Sequence, residues 1–247
     1  MPKLNDATIQ QHNTVQSHYG FSATKIDNLG ASEYTLASVV VDVSSSVASF
    51  AAELTRAVKE VVRACKYSPR ADNLMIRVTQ FATQLDEVHG FKLLENCNES
   101  DYDCALTVGG STSLYDASAN AIEATSTYAL DLKKNDYEAN GIVVVITDGD
   151  DNASTLSVSA VKKALVKMGR DESLESLVTI LVGVNIQDKH IGKKLKSFKD
   201  DVGFTQYVEL DNADARTLAK LADFVSKSIS AQSQSLGTGG PSQSLTI

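Results

Sequence analysis

The sequence predicts an α/β fold built on a mostly parallel sheet. Val39, Val40 and Val41 form a β-branched run that stops at Asp42, and Val143, Val144, Val145 and Ile146 repeat that form before Asp148. An apolar run bounded by polar residues reads as a strand buried on both faces, the situation of a parallel sheet with helices on either side. Stretches of helical periodicity separate these runs, and 247 residues with 43% hydrophobic content are enough for one sizeable core.

In chain order, residues 1–33 carry little periodicity and many Asn, Gln, Ser and Thr, and read as an N-terminal extension. His12 and His18 fall there without a nearby carboxylate or thiol and read as surface residues. The first buried strand lies within residues 34–46. Residues 47–65 follow as an amphipathic helix with Phe50, Leu54, Val58, Val61 and Val62 on one stripe, closed by Ser68-Pro69. Residues 74–81 read as a strand and 85–91 as a short strand after a tight turn. Residues 95–110 form an acidic loop, and 114–133 a helix whose N-terminal dipole would favour an anion.

Beyond the second buried strand, residues 157–168 read as a helix and 177–184 as a buried strand. Residues 189–199 read as a helix with a solvated lysine face, and 205–210 as the last strand. A final helix, capped by Asp211 or Asn212, carries Leu218, Leu221, Phe224 and Val225 inward. From residue 231 to 247 the composition turns to Ser, Gln, Gly and Pro, a flexible tail. The expected organisation is therefore an extension (1–33), one domain (34–230) and a tail (231–247).

Asp42 and Asp148 stand at the C-terminal ends of their strands, where open α/β sheets place ligands. If the strands are neighbours, about 4.8 Å apart, two unpaired carboxylates face one small volume. They would repel, and one would tend to take up a proton. A divalent cation resolves the conflict. Asp42, Ser44, Ser46 and Asp148 offer only oxygen, and Thr112, in the loop Gly109-Gly110-Ser111-Thr112, offers a fifth ligand. With no Cys or His near these motifs, zinc and copper are disfavoured. Few carboxylates, neutral hydroxyls and room for water suit Mg²⁺, with Mn²⁺ as substitute and Ca²⁺ less favoured.

Asp42-Val43-Ser44-Ser45-Ser46 resembles the DxSxS motif of von Willebrand factor A (vWA) domains, which opens their metal-ion-dependent adhesion site, or MIDAS. Gly110 to Ala117 resembles the segment carrying that family's metal-binding Thr, matched by Thr112, and Ile146-Thr147-Asp148-Gly149 resembles its TDG. Ser45 stands where many members have Gly. The resemblance covers roughly residues 34–230, and is to stand-alone bacterial or phage proteins of this kind. It implies a Rossmann-like three-layer sandwich with one antiparallel strand at the sheet edge. It also implies a metal site made by Asp42, Ser44, Ser46, Thr112 and Asp148, and a binding function in which the metal accepts an Asp or Glu of a protein partner. An AAA+ ATPase or an assembly complex is the kind of partner it suggests.

A net charge of −8 argues against binding to nucleic acid or acidic membranes, and the absence of Trp leaves little for a stacking platform. No stretch approaches a transmembrane span or a signal-peptide core, so a cytoplasmic location is expected. The odd set Cys65, Cys97 and Cys104 reads as reduced thiols. Asp148 to Asn152 begins like an EF-hand, but Ala153 and Ser159 occupy the positions that need Gly and Glu, so Asp150 and Asp151 are expected to line the rim of the site instead.

Two other functions compete with this one. In a structural or assembly protein the same metal would only stiffen the loops. A Mg²⁺-dependent phosphohydrolase would need a second acid where Ser44 stands, and there is no P-loop, G-x-S-x-G or G-x-G-x-x-G. No enzyme activity is therefore expected. The tail ends in the carboxylate of Ile247, and its entry into a neighbouring copy's site would give self-association.

Overall fold

In a computed structural model, residues 8–103, 105–238 and 245–246 are described. Cys104 and the carboxylate of Ile247 lie outside them. An eight-stranded sheet forms the middle layer. Its strands are β1 (Ile9–His12), β2 (Phe21–Thr24), β3 (Glu33–Asp42), β4 (Leu74–Phe81), β5 (Leu85–Leu93), β6 (Glu138–Thr147), β7 (Leu177–Val184) and β8 (Gln206–Leu210), in the spatial order β1-β2-β5-β4-β3-β6-β7-β8. The helices are α1 (Ala51–Cys65), α2 (Leu114–Lys134), α3 (Val158–Asp171), α4 (Lys189–Val202) and α5 (Ala215–Thr238). Among the described residues, no helix is long and apolar enough to cross a membrane.

The central strands are buried on both faces because their valines alternate between two cores. Val39, Val41, Val144 and Ile146 pack with α1 and α5, where Leu54, Val58, Leu221 and Val225 meet them. Val40, Val143 and Val145 face the opposite way, towards α2, α3 and α4. Helix α2 is buried on nearly every side, and its run of Ala117, Ser118, Ala119, Ala121 and Ala124 shows how: short side chains let the sheet and α3 approach closely.

β3 lies between β4 and β6, parallel to both, with Val41 opposite Ile146. β5 pairs antiparallel with β4. Within the stretch read as an N-terminal extension, residues 9–24 carry the sheet past β5. β1 and β2 form an antiparallel hairpin, and β2 runs parallel to β5. The hairpin is held by groups that its weak periodicity does not reveal. Ser22 donates from its amide and hydroxyl to Glu87, the Gln16 and Ser17 amides donate to Glu123, and the Tyr128 hydroxyl donates to the Thr24 carbonyl. His12 is not a surface residue: its ring stacks on Phe21 at a centroid distance of 4.8 Å.

The stretch read from composition as a C-terminal tail is helical over residues 231–238. α5 continues to Thr238, and Gln232 and Ser233 are buried. Gln232 donates to the Gly141 carbonyl and to Ser176, while its own carbonyl accepts from Asn140. These bonds replace the apolar contacts on which the reading of a helix depends. The cap of α5 is Asp214, whose Oδ1 accepts from the Thr217 amide at 2.7 Å, rather than Asp211 or Asn212.

Candidate metal centre

The parallel pairing of β3 and β6 places the ends of both strands side by side. Asp42 closes β3 and Asp148 follows Thr147, the last residue of β6. After Asp42 the chain turns into a short 3₁₀ segment, Ser45–Ser49, before α1 begins. Asp42 Oδ1 accepts from the Ser44 amide at 2.8 Å, which fixes the turn. Ser44 Oγ and Ser46 Oγ lie 3.0 Å apart, and Ser46 Oγ donates to Asp148 Oδ1 at 2.7 Å. Four of the five residues expected from sequence thus form one hydrogen-bonded chain.

Thr112 reaches the same place through its loop. Gly109 donates to the Val43 carbonyl at 2.8 Å, and the Gly110 carbonyl accepts from both the amide and the hydroxyl of Ser45. Gly110 has φ +86°, and a Cβ there would stand 2.6 Å from Thr83 Oγ1, so this turn needs glycine. On its other side, Thr112 accepts at its carbonyl from the Asn152 and Ala153 amides and donates its amide to Asn152 Oδ1 at 2.7 Å. A Cβ on Gly149, the residue after Asp148, would lie 4.0 Å from Thr112 Oγ1. The Thr112 side chain is buried, and among the described residues its hydroxyl has no hydrogen-bond partner.

Two residues of this arrangement are not among the ligands expected from the sequence. Thr147 Oγ1 donates to Asp42 Oδ2 at 2.6 Å and accepts from the Gly149 amide, and Asn152 clamps the Thr112 backbone. Thr147 lies within the TDG-like motif and Asn152 just beyond it, and their side-chain roles follow from the strand register and the loop path.

Asp150 and Asp151, expected at the rim, are engaged elsewhere. Asp150 pairs with Lys194 of α4. Asp151 accepts from the Tyr115 amide, and Ser154 Oγ accepts from the Tyr115 and Asp116 amides. The first-turn amides of α2 are therefore already capped by the chain itself, which removes the expected anion seat at that helix end. Asp116, also buried, accepts from the Thr155 and Leu156 amides and ties the same loop to α2.

The electrostatics would suit a cation. Asp42 is 1% exposed, and its hydrogen-bond partners are an amide and a hydroxyl. Burial pushes its carboxyl up to about 6, the hydrogen bonds from Thr147 and Ser44 oppose the shift, and the charge of Asp148 adds to it. Burial also raises Asp148, against the hydrogen bond from Ser46. Among the described residues, neither carboxylate has an ion pair with Lys, Arg or His. Two partly desolvated carboxylates without a countercharge, beside three hydroxyls, fit a hard divalent cation. The residues that would hold it are Asp42, Ser44, Ser46, Thr112 and Asp148.

No protein-family model matches the sequence, and a search of curated proteins finds no match either. Solved structures do resemble the fold. The PilB minor pilin from Streptococcus sanguinis aligns at TM-score 0.61 and 15% identity, over 89% of this chain and 66% of the pilin. The pilus adhesin SpaC from Lactobacillus rhamnosus GG, in its open conformation, aligns at 0.57 and 10% identity, over 94% of this chain and 35% of the adhesin. Proximal thread matrix protein 1 from the mussel byssus, with a zinc-occupied MIDAS motif, aligns at 0.51 and 21% identity, over 79% of this chain and 46% of that protein. The chain thus spans less than two thirds of each of these proteins. The likeness is one of fold: a vWA-like α/β sandwich with a mostly parallel sheet.

Proposed function

We propose that the chain is a metal-dependent protein-interaction module, with a divalent cation held by Asp42, Ser44, Ser46, Thr112 and Asp148. The observation that carries this reading is the convergence of two uncompensated carboxylates and three hydroxyls from three separated loops. A cation bound by two carboxylates and neutral oxygens keeps residual positive charge. When bound, it supplies an electrophilic position to which a carboxylate of a partner can bind. The protein's own groups fix the ligands: Thr147 and the Ser44 amide hold Asp42, Ser46 holds Asp148, and Asn152 holds the Thr112 backbone.

The all-oxygen donor set favours Mg²⁺, with Mn²⁺ in its place, and Ca²⁺ less so. Zinc in the MIDAS motif of the mussel protein supports divalent-metal binding by this type of site and makes zinc the competitor to test. The partner supplies Asp or Glu, and an assembly complex or an AAA+ ATPase fits a module of this kind. No catalysis is proposed: Ser44 stands where a phosphohydrolase would place its second acid.

The test is calorimetric titration of the metal-free chain with Mg²⁺, Mn²⁺, Ca²⁺ and Zn²⁺, followed by binding of a fluorescent acidic peptide library with and without EDTA. Saturable binding at one site, lost in Asp148→Ala, with EDTA-sensitive peptide capture, is the expected result. Metal binding without any metal-dependent carboxylate capture would favour a structural role. Absence of metal binding would end the proposal.

A further inference from the structure

The core on the α2 side of the sheet is divided in two. One cluster, around Val40, Phe81, Leu114 and Ala121, lies towards the candidate metal centre; the other, around Leu36, Met75, Ala124 and Tyr128, lies towards the opposite end of the strands. Strand alternation puts Ser38 between Leu36 and Val40 on this face, and Arg77 and Thr79 between Met75 and Phe81. Ser38 is the register partner of Arg77, and Val40 that of Thr79. A polar belt therefore crosses the core at the level where it divides.

The belt is buried and incompletely bonded. Ser38, Arg77, Thr79 and Ser118 are each at most 1% exposed. Arg77 spends Nε on Glu87 at 2.7 Å and Nη2 on Asn120 Oδ1 at 2.8 Å. Its Nη1 and the hydroxyls of Ser38, Thr79 and Ser118 find no protein partner. Three such groups in one layer of the sheet, with a fourth on the covering helix, are more than a native interior leaves unbonded.

We propose that a chamber between α2 and strands β3 and β4 binds ordered water, held by Arg77 Nη1 and the hydroxyls of Ser38, Thr79 and Ser118. Water suits the site because the hydroxyls donate and accept while Nη1 donates, giving the two to four polar partners that an internal water needs. An anion does not suit it, since Glu87 already neutralises Arg77, and a further negative charge would be buried without compensation. The covering helix carries only short side chains at Ala117, Ser118 and Ala121. The water layer joins α2, whose first turn follows Thr112, to the two strands, so it helps set the height of that helix on the sheet.

The experiment is a crystal structure of the full chain, grown with and without bromide, together with thermal unfolding of Thr79→Val and Ser38→Ala. Density for water within hydrogen-bond distance of Arg77 Nη1 and at least one of the three hydroxyls is expected. Each substitution is then expected to lower Tm, by roughly 2–4 °C, because it strips a partner from a bound water. A dry chamber overturns the proposal, as does an unchanged or raised Tm, the result expected when an unbonded hydroxyl is removed. An anomalous bromide peak at this position overturns it in favour of an anion.

Discussion

Ser46 Oγ donates to Asp148 Oδ1 at 2.7 Å across 102 residues of chain, joining the turn after β3 to the end of β6. Thr112, by contrast, is a buried residue whose hydroxyl has no hydrogen-bond partner among the described residues. The two hydroxyls therefore separate metal binding from loop stability. Ser46→Ala removes both a proposed ligand and a hydrogen bond, and Thr112→Val removes only a proposed ligand. Thr112→Val is expected to weaken Mg²⁺ binding roughly tenfold, about 1.4 kcal/mol, with an unchanged metal-free Tm. Calorimetry and thermal unfolding in EDTA check it, and a Tm loss equal to that of Ser46→Ala would show that Thr112 is structural.

The raised Asp42 carboxyl gives a pH dependence with a definite sign. Its folded value, about 6, stands above the ordinary value of 3.8, so between these limits the folded state binds the proton more tightly than the unfolded one. Metal-free stability should therefore rise as pH falls from 7 towards 4, by on the order of 3 kcal/mol for this group. His89 acts in the opposite sense. Burial lowers its ring to about 4, so its contribution is lost as pH falls from 6.5. The difference between wild type and Asp42→Asn isolates the first group. In EDTA, the Asp42→Asn variant should be more stable than wild type at pH 7, and its advantage should vanish near pH 4; with Mg²⁺ present at pH 7, wild type should be the more stable. A pH-independent difference in EDTA would contradict the burial of Asp42.

The parts of this fold that are legible in the sequence are those whose signal is local. Val39 to Asp42 and Val143 to Asp148 announce both the buried strands and the acids at their ends, and residues 74–81 and 177–184 form strands with the expected bounds. The hairpin of β1 and β2 is hidden because its anchors, Glu87 and Glu123, lie far along the chain and look like solvated acids. Asp150 and Asp151 escape a reading from sequence for the same reason: proximity to Asp148 along the chain says nothing of the turn that sends one to Lys194 and the other to the head of α2.

Gly110 tests whether the Thr112 loop is shaped by backbone geometry. Its φ of +86° is a conformation that L side chains rarely adopt, and an added Cβ would meet Thr83 Oγ1 at 2.6 Å. Gly110→Ala should cost roughly 1–3 kcal/mol and lower metal affinity, since the Gly110 carbonyl also receives both bonds from Ser45. Adding Thr83→Ala relieves the contact but not the angle, so only partial recovery is expected. Full recovery of Tm would assign the whole effect to the contact.

The end of α5 is the place where composition and structure diverge most, and truncation there discriminates between them. A flexible tail from residue 231 could be removed without consequence. In the structure, Gln232 is 1% exposed, donates to the Gly141 carbonyl at 3.1 Å and to Ser176 Oγ at 2.9 Å, and accepts at its carbonyl from Asn140, which in turn accepts the Thr35 hydroxyl. Deleting residues 231–247 would leave Asn140 Nδ2 buried without that acceptor, at a cost of about 1–3 kcal/mol for each orphaned group. Gln232→Ala keeps the backbone carbonyl that Asn140 uses and loses only the two side-chain donations. The deletion should therefore lower Tm by more than the substitution, and the substitution should still lower it measurably. Equal Tm values for wild type and the deletion would mean that the last turns of α5 contribute nothing to the fold.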